Sequence, residues 1–334
     1  MQEEFLVVEA ERVGFGLPGQ PSPREMMHLA RRAEELGFES VWLTETRFTR
    51  DAITTSAAVA AATSDVRIGT AVTNPFTRGA VLSAITFATL DELAQGRLLF
   101  GFGPGSPHIL RRQGFEFDLP LTRMCEHIEV VRRLLAGERV TYQGKTVRVD
   151  GVALDFQPFR PNIPLYLGVT GPKALETAAE IADGVILNGF VSAEYSARAV
   201  ERLRRRAAAA GRGPAALEIA SWLMVSVDRD SATAKQAVRP MVATYLVNFP
   251  NIARESGLPD DLLAAIGKAY ADGGVADAAR LVSDEVVTRL SCSGSPDECR
   301  ELIQARRDVG VNLPILGLLG GNVEWAMQAL VTAA

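Results

Sequence analysis

The sequence predicts an α/β protein of the (β/α)8 class, a TIM barrel with insertions. Eight short apolar runs alternate with alanine-rich amphipathic stretches along the chain. Most of these runs are apolar at consecutive positions, as strands of a parallel sheet covered by helices must be. The length of 334 residues holds a minimal barrel of ~250 residues with roughly 80 left for insertions. An open doubly wound sheet uses the same alternation and is the competing architecture.

Residues 13–17 read as the first strand and 22–36 as the first helix, ended by Gly37. The second strand spans 40–44 (SVWLT), and Asp51 caps a helix over 51–63. A third strand covers 66–73 and leads to a helix reaching Ala94; the fourth covers 97–101, with its helix at 122–135. Strand 164–169 pairs with helix 172–182, and strand 184–187 with helix 193–210. The seventh unit joins 218–227 to 231–247. Helix 296–307, strand 313–319 and helix 323–331 close the chain. Two stretches fall outside the alternation. Residues 137–163 hold a small hairpin at 140–149, and residues 248–290 are helical, punctuated by Pro250, Pro259 and Gly273-Gly274. No repeat or linker divides the chain, so residues 1–334 read as one barrel domain with insertions near 137–163 and 248–290.

With 35 basic and 40 acidic residues, the net charge of −5 argues against non-specific nucleic-acid binding. Lysine occurs only at Lys145, Lys173, Lys235 and Lys268, which makes each one informative. Cys125, Cys292 and Cys299 form no CxxC pair and support neither a disulfide framework nor a zinc site. The acidic opening MQEEFLVVEAER lacks the apolar core of a secretory signal, and no run of ~18 apolar residues offers a membrane span. A cytoplasmic protein with a small-molecule substrate, and no metal, membrane or nucleic-acid partner, is expected.

Barrel active sites form where strands end and their following loops begin. Five such places have unusual content. The second strand runs into Thr44-Glu45-Thr46, a carboxylate at the mouth that otherwise reads as an exposed helix-entry charge. The third runs through Thr70, Ala71, Val72 and Thr73 to an Asn74-Pro75 turn, which fits a bulge beside a ligand or a simple loop. The fourth ends in Gly101, Gly103 and Gly105, where the backbone can approach a ligand closely. The spacing is not a dinucleotide fingerprint: the third glycine comes one position early, and Pro104 and Pro107 disrupt a helix opening. The fifth ends in Thr170-Gly171-Pro172-Lys173 before a helix containing Ala174. Pro172 suits the first helical position, and the free amides of Lys173 and Ala174 offer a phosphate site, or simply an ordinary proline-started helix. Asn188-Gly189 ends the sixth strand on the same rim.

His28 and His127 lie within amphipathic helices and read as structural or solvent-facing. His108 follows the glycine loop at the mouth, placed for proton transfer, substrate binding or plain exposure. No histidine–carboxylate cluster has metal spacing, and no Gly-x-Ser-x-Gly elbow occurs.

Three long motifs, residues 66–78 (VRIGTAVTNPFTR), 87–105 (FATLDELAQGRLLFGFGPG) and 163–187 (IPLYLGVTGPKALETAAEIADGVIL), resemble those of the bacterial-luciferase-like flavin and deazaflavin oxidoreductases. The similarity runs in matching order through roughly residues 13–230. Within the family it most resembles the methylenetetrahydromethanopterin reductases that use coenzyme F420. The resemblance implies a dimeric barrel holding the coenzyme at its C-terminal rim. It also implies a cis peptide at Ala71-Val72 backing the deazaflavin ring, and a phosphate site at Gly171, Pro172 and Lys173. Glu45 falls where relatives carry an acidic residue near the ring. Two departures bear on the substrate. Glu45-Thr46 replaces an Asp-His pair found in sugar-phosphate dehydrogenases, and Gly16 and Ser106 stand where pterin reductases carry acidic residues. Fold and coenzyme therefore transfer better than substrate.

The leading reading is a coenzyme F420-dependent oxidoreductase with Glu45 or His108 handling a proton. Thr70, Ala71, Val72, Asn74, Gly103, Gly105, Thr170, Gly171, Pro172, Lys173, Ala174, Asn188 and Glu45 would contact the coenzyme, and residues 248–290 would cover the substrate pocket. The alternatives are a monooxygenase supplied with reduced flavin mononucleotide (FMN) and a non-catalytic ligand-binding barrel. The small-residue helix 52–63 and the helix over 80–93 are expected to form a homodimer face, or to pack onto the barrel's own sheet.

Overall fold

The computed structural model describes residues 12–45 and 48–331. Thr46 and the acidic N-terminal stretch through Glu11 lie outside the described residues. In chain order the strands are β1 (Gly14–Leu17), β2 (Ser40–Leu43), β3 (Arg67–Thr70), β4 (Leu98–Phe102), β5 (Val140–Gln143), β6 (Arg148–Val152), β7 (Leu165–Gly168), β8 (Gly184–Leu187), β9 (Glu218–Ser226) and β10 (Leu313–Leu319). The helices are α1 (Pro23–Glu35), α2 (Ala52–Ala62), α3 (Ala80–Leu93), α4 (Pro107–Arg112), α5 (Pro120–Leu135), α6 (Pro172–Ile181), α7 (Ala193–Ala209), α8 (Ser231–Asn248), α9 (Pro250–Glu255), α10 (Asp260–Arg280), α11 (Asp284–Leu290), α12 (Pro296–Asp308) and α13 (Val323–Val331).

Eight strands, all but β5 and β6, pair in parallel and close into a barrel. Gly14 of β1 pairs with Ser40 on one side and with Ile315 on the other, so no edge is left and the open sheet is excluded. The β5–β6 hairpin stands apart as an antiparallel pair. It buries Val140 and Val149 in the main apolar layer, and a carboxylate ties its turn to α5. Glu126 of α5 accepts the amides of Lys145, Thr146 and Val147 at 2.7, 2.8 and 3.0 Å and the Thr146 hydroxyl at 2.6 Å. Burial alone would raise this carboxyl, but those donors outweigh it and hold the pKa at about 2.

Local chemistry sets the helix ends. Ser22 with Glu25 and Ser295 with Glu298 form reciprocal capping boxes at α1 and α12. Asp51 accepts the Thr54 amide at 2.6 Å and starts α2. Two expectations are corrected. The third strand ends at Thr70 rather than Thr73, because the chain bulges there. A short helix, α4, opens at Pro107, because a proline at the first helical position gives up no hydrogen bond.

Between strands and helices lies the main apolar layer, and a smaller cluster fills the barrel itself around Trp42, Leu99, Tyr166, Ile186, Ala220, Leu313 and Ile315. Trp42 and Tyr166 meet edge to face at 5.2 Å. Each also satisfies its polar tip: the Trp42 indole donates to Ser40 Oγ (2.9 Å) and the Tyr166 hydroxyl to Glu218 Oε2 (2.5 Å). Gly69 and Gly184 stand where a side chain would run into these two rings. The helices α8–α11 have a third cluster of their own, joined by Phe190 and by partly buried Met224 and Leu319.

Candidate active site

The site begins with a register shift. Gly69 pairs with Leu99, so an unbroken ladder would bring Val72 beside Phe102; the pairing instead resumes at Thr73. One extra residue is held on the β3 side, a β-bulge. Within it the Ala71-Val72 peptide is cis. Thr70 and Thr73 lock the bulge onto β4, both hydroxyls donating to the Gly101 carbonyl at 2.7 and 2.9 Å. The Val72 side chain is received by glycines on two strands. A Cβ on Gly103 would stand 2.7 Å from Val72 Cγ2, and one on Gly168 would stand 2.8 Å from Val72 Cγ1. A Cβ on Gly101 would overlap the Thr70 carbonyl oxygen.

Beyond the bulge, Asn74 organises the turn into α3. Its side-chain oxygen accepts the amides of Phe76 (3.0 Å) and Thr77 (3.2 Å), while its buried Nδ2 has no partner among the described residues. The Thr77 hydroxyl donates to Glu45 Oε1 at 3.4 Å, and Glu45 Oε2 is buried with no partner among the described residues. Burial, reinforced by the nearby Asp51, pushes the Glu45 carboxyl up to about 7, against the opposing pull of Arg78 and the Thr77 hydroxyl. Arg78 itself faces Asp51 at 3.7 Å. Gly105 adopts a φ of +81°, and a Cβ there would meet Leu110 at 2.6 Å and Asn74 Cβ at 3.5 Å. The Glu45, Asn74 and Gly101–Gly105 segments thus meet on one side of the mouth.

The β7 and β8 ends complete the rim. Gly171 is the extended N-cap of α6, with no side-chain cap, and Pro172 occupies the first turn. Helix geometry leaves the first amides, at Lys173 and Ala174, without intrahelical partners. The Tyr195 hydroxyl donates to the Thr170 carbonyl at 2.7 Å and ties this turn to α7. Asn188 is half-buried one residue past β8. His108 stands exposed in the first turn of α4. His127 is buried against Phe102 (4.7 Å) and bonded to Ser83 Oγ (3.0 Å); burial, aided by Arg123, drops its pKa to about 3, so it is a neutral packing residue. His28 pairs with Glu324 on the surface at 2.9 Å.

The sequence pattern marks Trp222 only as one more apolar residue of the strand over 218–227. It lies at the upper end of the barrel's interior cluster and is partly exposed. The available signal was indirect: a lone large ring on a strand, with glycines at Gly16, Gly189 and Gly317 on strand segments to either side.

A closed parallel barrel with a bulged strand end and a raised carboxyl at its C-terminal rim has the layout of a barrel enzyme. Residues 4–313 match the family model for luciferase-like monooxygenases, and the chain belongs to that family. It is 34% identical over 321 residues to a 5,10-methylenetetrahydromethanopterin reductase of Methanolobus tindarius, a match covering 95% of this chain and 98% of that one. The reductase of the same name from Archaeoglobus fulgidus is 31% identical over 310 residues, covering 91% and 92%. Among solved structures, the coenzyme F420-dependent tetrahydromethanopterin reductase from Methanopyrus kandleri matches with a TM-score of 0.90 at 27% identity, covering 96% and 97%.

Proposed function

We propose that this chain is a coenzyme F420-dependent oxidoreductase that moves hydride between the deazaflavin and a small organic substrate. The reading rests on two buried polar atoms beside the bulge that have no partner among the described residues, Glu45 Oε2 and Asn74 Nδ2. Each costs about 1–3 kcal/mol while unpaired. Asn74 Nδ2 takes an acceptor, and Glu45 Oε2 takes a donor when ionised or an acceptor when protonated; the pyrimidine edge of a deazaflavin carries groups of both kinds. Kinship with a reductase solved as coenzyme F420-dependent supports the same coenzyme.

When bound, the coenzyme supplies the carbon that gives or takes hydride. The chain's own residues do the rest. Thr70, Ala71 and Val72, backed by Gly103, form a wall for the ring, and Gly105 turns the β4 loop clear of it. Thr170, Gly171, Pro172, Lys173 and Ala174 hold the phosphate through helix amides and one ammonium, with Asn188 beside them. Glu45 holds a proton at Oε2 near neutrality and passes it as hydride moves; exposed His108 is the second candidate for that proton. Residues 248–290 overhang the mouth. The whole chain is read as one domain, working in the cytoplasm; among the described residues no helix is long and apolar enough to cross a membrane.

Equilibrium binding tests the coenzyme. Submicromolar affinity for coenzyme F420 is expected, with Lys173→Glu weakening it about tenfold at low salt and less at high salt. Tight FMN binding with no deazaflavin binding would overturn the assignment.

The reading includes a homodimer. On α2, Ala52, Thr55, Ser56, Val59 and Ala60 are buried within the chain itself, but α3 leaves Leu82 (51% exposed), Ile85 (39%) and Leu93 (46%) uncovered. Sedimentation at micromolar concentration is expected to give two copies, and the double variant Leu82→Glu, Ile85→Glu one copy. A monomeric parent protein would contradict it.

A further inference from the structure

We infer that Trp222 floors the substrate half of the barrel mouth and selects an uncharged substrate with a flat, conjugated face. The inference deepens the proposed function and rests on it for the other half of the mouth, where the bulge at Ala71-Val72 lies.

The indole crosses three neighbouring strand segments, and each has a glycine beneath it. A Cβ on Gly16 of β1 would stand 2.6 Å from Trp222 Cη2, and one on Gly317 of β10 would overlap the indole nitrogen. On Gly189, just past β8, a Cβ would stand 3.3 Å from Trp222 Cδ1. Gly16 pairs with Gly317, and Gly317 with Met224, so the ring reaches from its own level up to the next layer of the barrel. Its N–H donates to Met224 Sδ at 3.1 Å, which turns the only polar group of the ring sideways into the wall. Trp42 and Tyr166, lower in the same interior cluster, are buried, whereas Trp222 keeps part of its surface open.

The surroundings fix the substrate's chemistry. Strand alternation places Gly16, Trp222, Met224, Gly317 and Leu319 around this half of the mouth, and none of them carries charge. Met224 and Leu319 continue into the apolar cluster of α8–α11. A carboxylate or phosphate placed here would be desolvated with no partner. A planar conjugated ring stacks on the indole and replaces water at no such cost.

The test is titration of intact protein, free and loaded with oxidised coenzyme F420, with naphthaldehyde, its anion analogue naphthoate, and flexible octanal. Quenching of tryptophan fluorescence gives the affinity without turnover. Naphthaldehyde is expected to bind about tenfold or more tighter than either competitor. Trp222→Ala is expected to erase that preference and Trp222→Phe to keep most of it, both with coenzyme affinity within about twofold of the parent. For these variants the affinity is read by calorimetry. Equal affinity for naphthoate, or an unchanged preference in Trp222→Ala, overturns the inference. Should Trp222→Ala fail to fold, Gly317→Ala, which displaces the ring, is expected to lose the same preference, and its retention overturns the inference equally. Failure to bind the coenzyme at all would sink the proposed function instead, and the free-protein titration would still decide the role of Trp222.

Discussion

Replacing Gly101 with alanine is expected to destroy the fold rather than weaken it. The added methyl would overlap the Thr70 carbonyl oxygen, a backbone atom that cannot rotate away. Thr70 is itself held by two hydrogen bonds to Gly101, the hydroxyl donating to the carbonyl at 2.7 Å and accepting from the amide at 3.1 Å. Relief would require separating β3 from β4 at the bulge, which opens the barrel and strands buried backbone groups. A loss of more than about 4 kcal/mol follows, at the extreme of single substitutions, and insoluble expression is the expected outcome. Gly267→Ala is the control. It lies within α10, nothing stands within 4 Å of its added carbon, and the change is expected to raise stability by about 0.5–1 kcal/mol. Chemical denaturation of both variants reads the contrast. A soluble Gly101→Ala protein with near-parental stability would show that β3 and β4 do not meet in this register.

Glu45→Gln is expected to split stability from activity. Burial raises the Glu45 carboxyl to about 7 in the folded chain, from an ordinary value of 4.5. A group whose folded pKa is raised lends stability that is complete below the unfolded value and fades as pH climbs through the folded value. For Glu45 that window runs from about 4.5 to about 7. Above it, the coenzyme-free protein carries a desolvated carboxylate at a cost on the order of 2–3 kcal/mol. Glutamine removes the charge, so the variant's melting temperature is expected to exceed the parent's at pH 8 and to match it near pH 4.5. Turnover is expected to fall by about 10²–10⁴-fold, since the proton at Oε2 is gone. An unchanged pH dependence of melting, or a fully active variant, would remove Glu45 from the proton path.

Much of the architecture could be read from the chain because turn residues punctuate it. The strands Gly184–Leu187 and Leu313–Leu319 fall at their expected bounds. The third strand was expected to run three residues further than it does, since Ala71-Val72-Thr73 continues its small, apolar character and periodicity does not register an inserted residue. α4 is six residues long, too short for any helical period, and its opening proline reads as a breaker out of context. At the rim, Glu45 and the Gly171-Pro172-Lys173 turn were legible because each follows a strand end. The hydrogen bond from Thr77 to Glu45 was not, because 32 residues separate the two. Nor could spacing reveal that Gly103 and Gly168 make room for Val72. That fit depends on the register of three strands at once.

The helices α9–α11 gather with α8 around apolar residues of their own and meet the wall through Phe190, Met224 and Leu319, with Ser256 Oγ accepting the Ser192 amide and the Arg289 carbonyl accepting from Arg306. Such an overhang is modular. Its lengths and surfaces are free to drift while the strands beneath keep their register, so descendants of this scaffold could exchange one acceptor for another by remodelling a canopy, leaving the redox chamber under it intact.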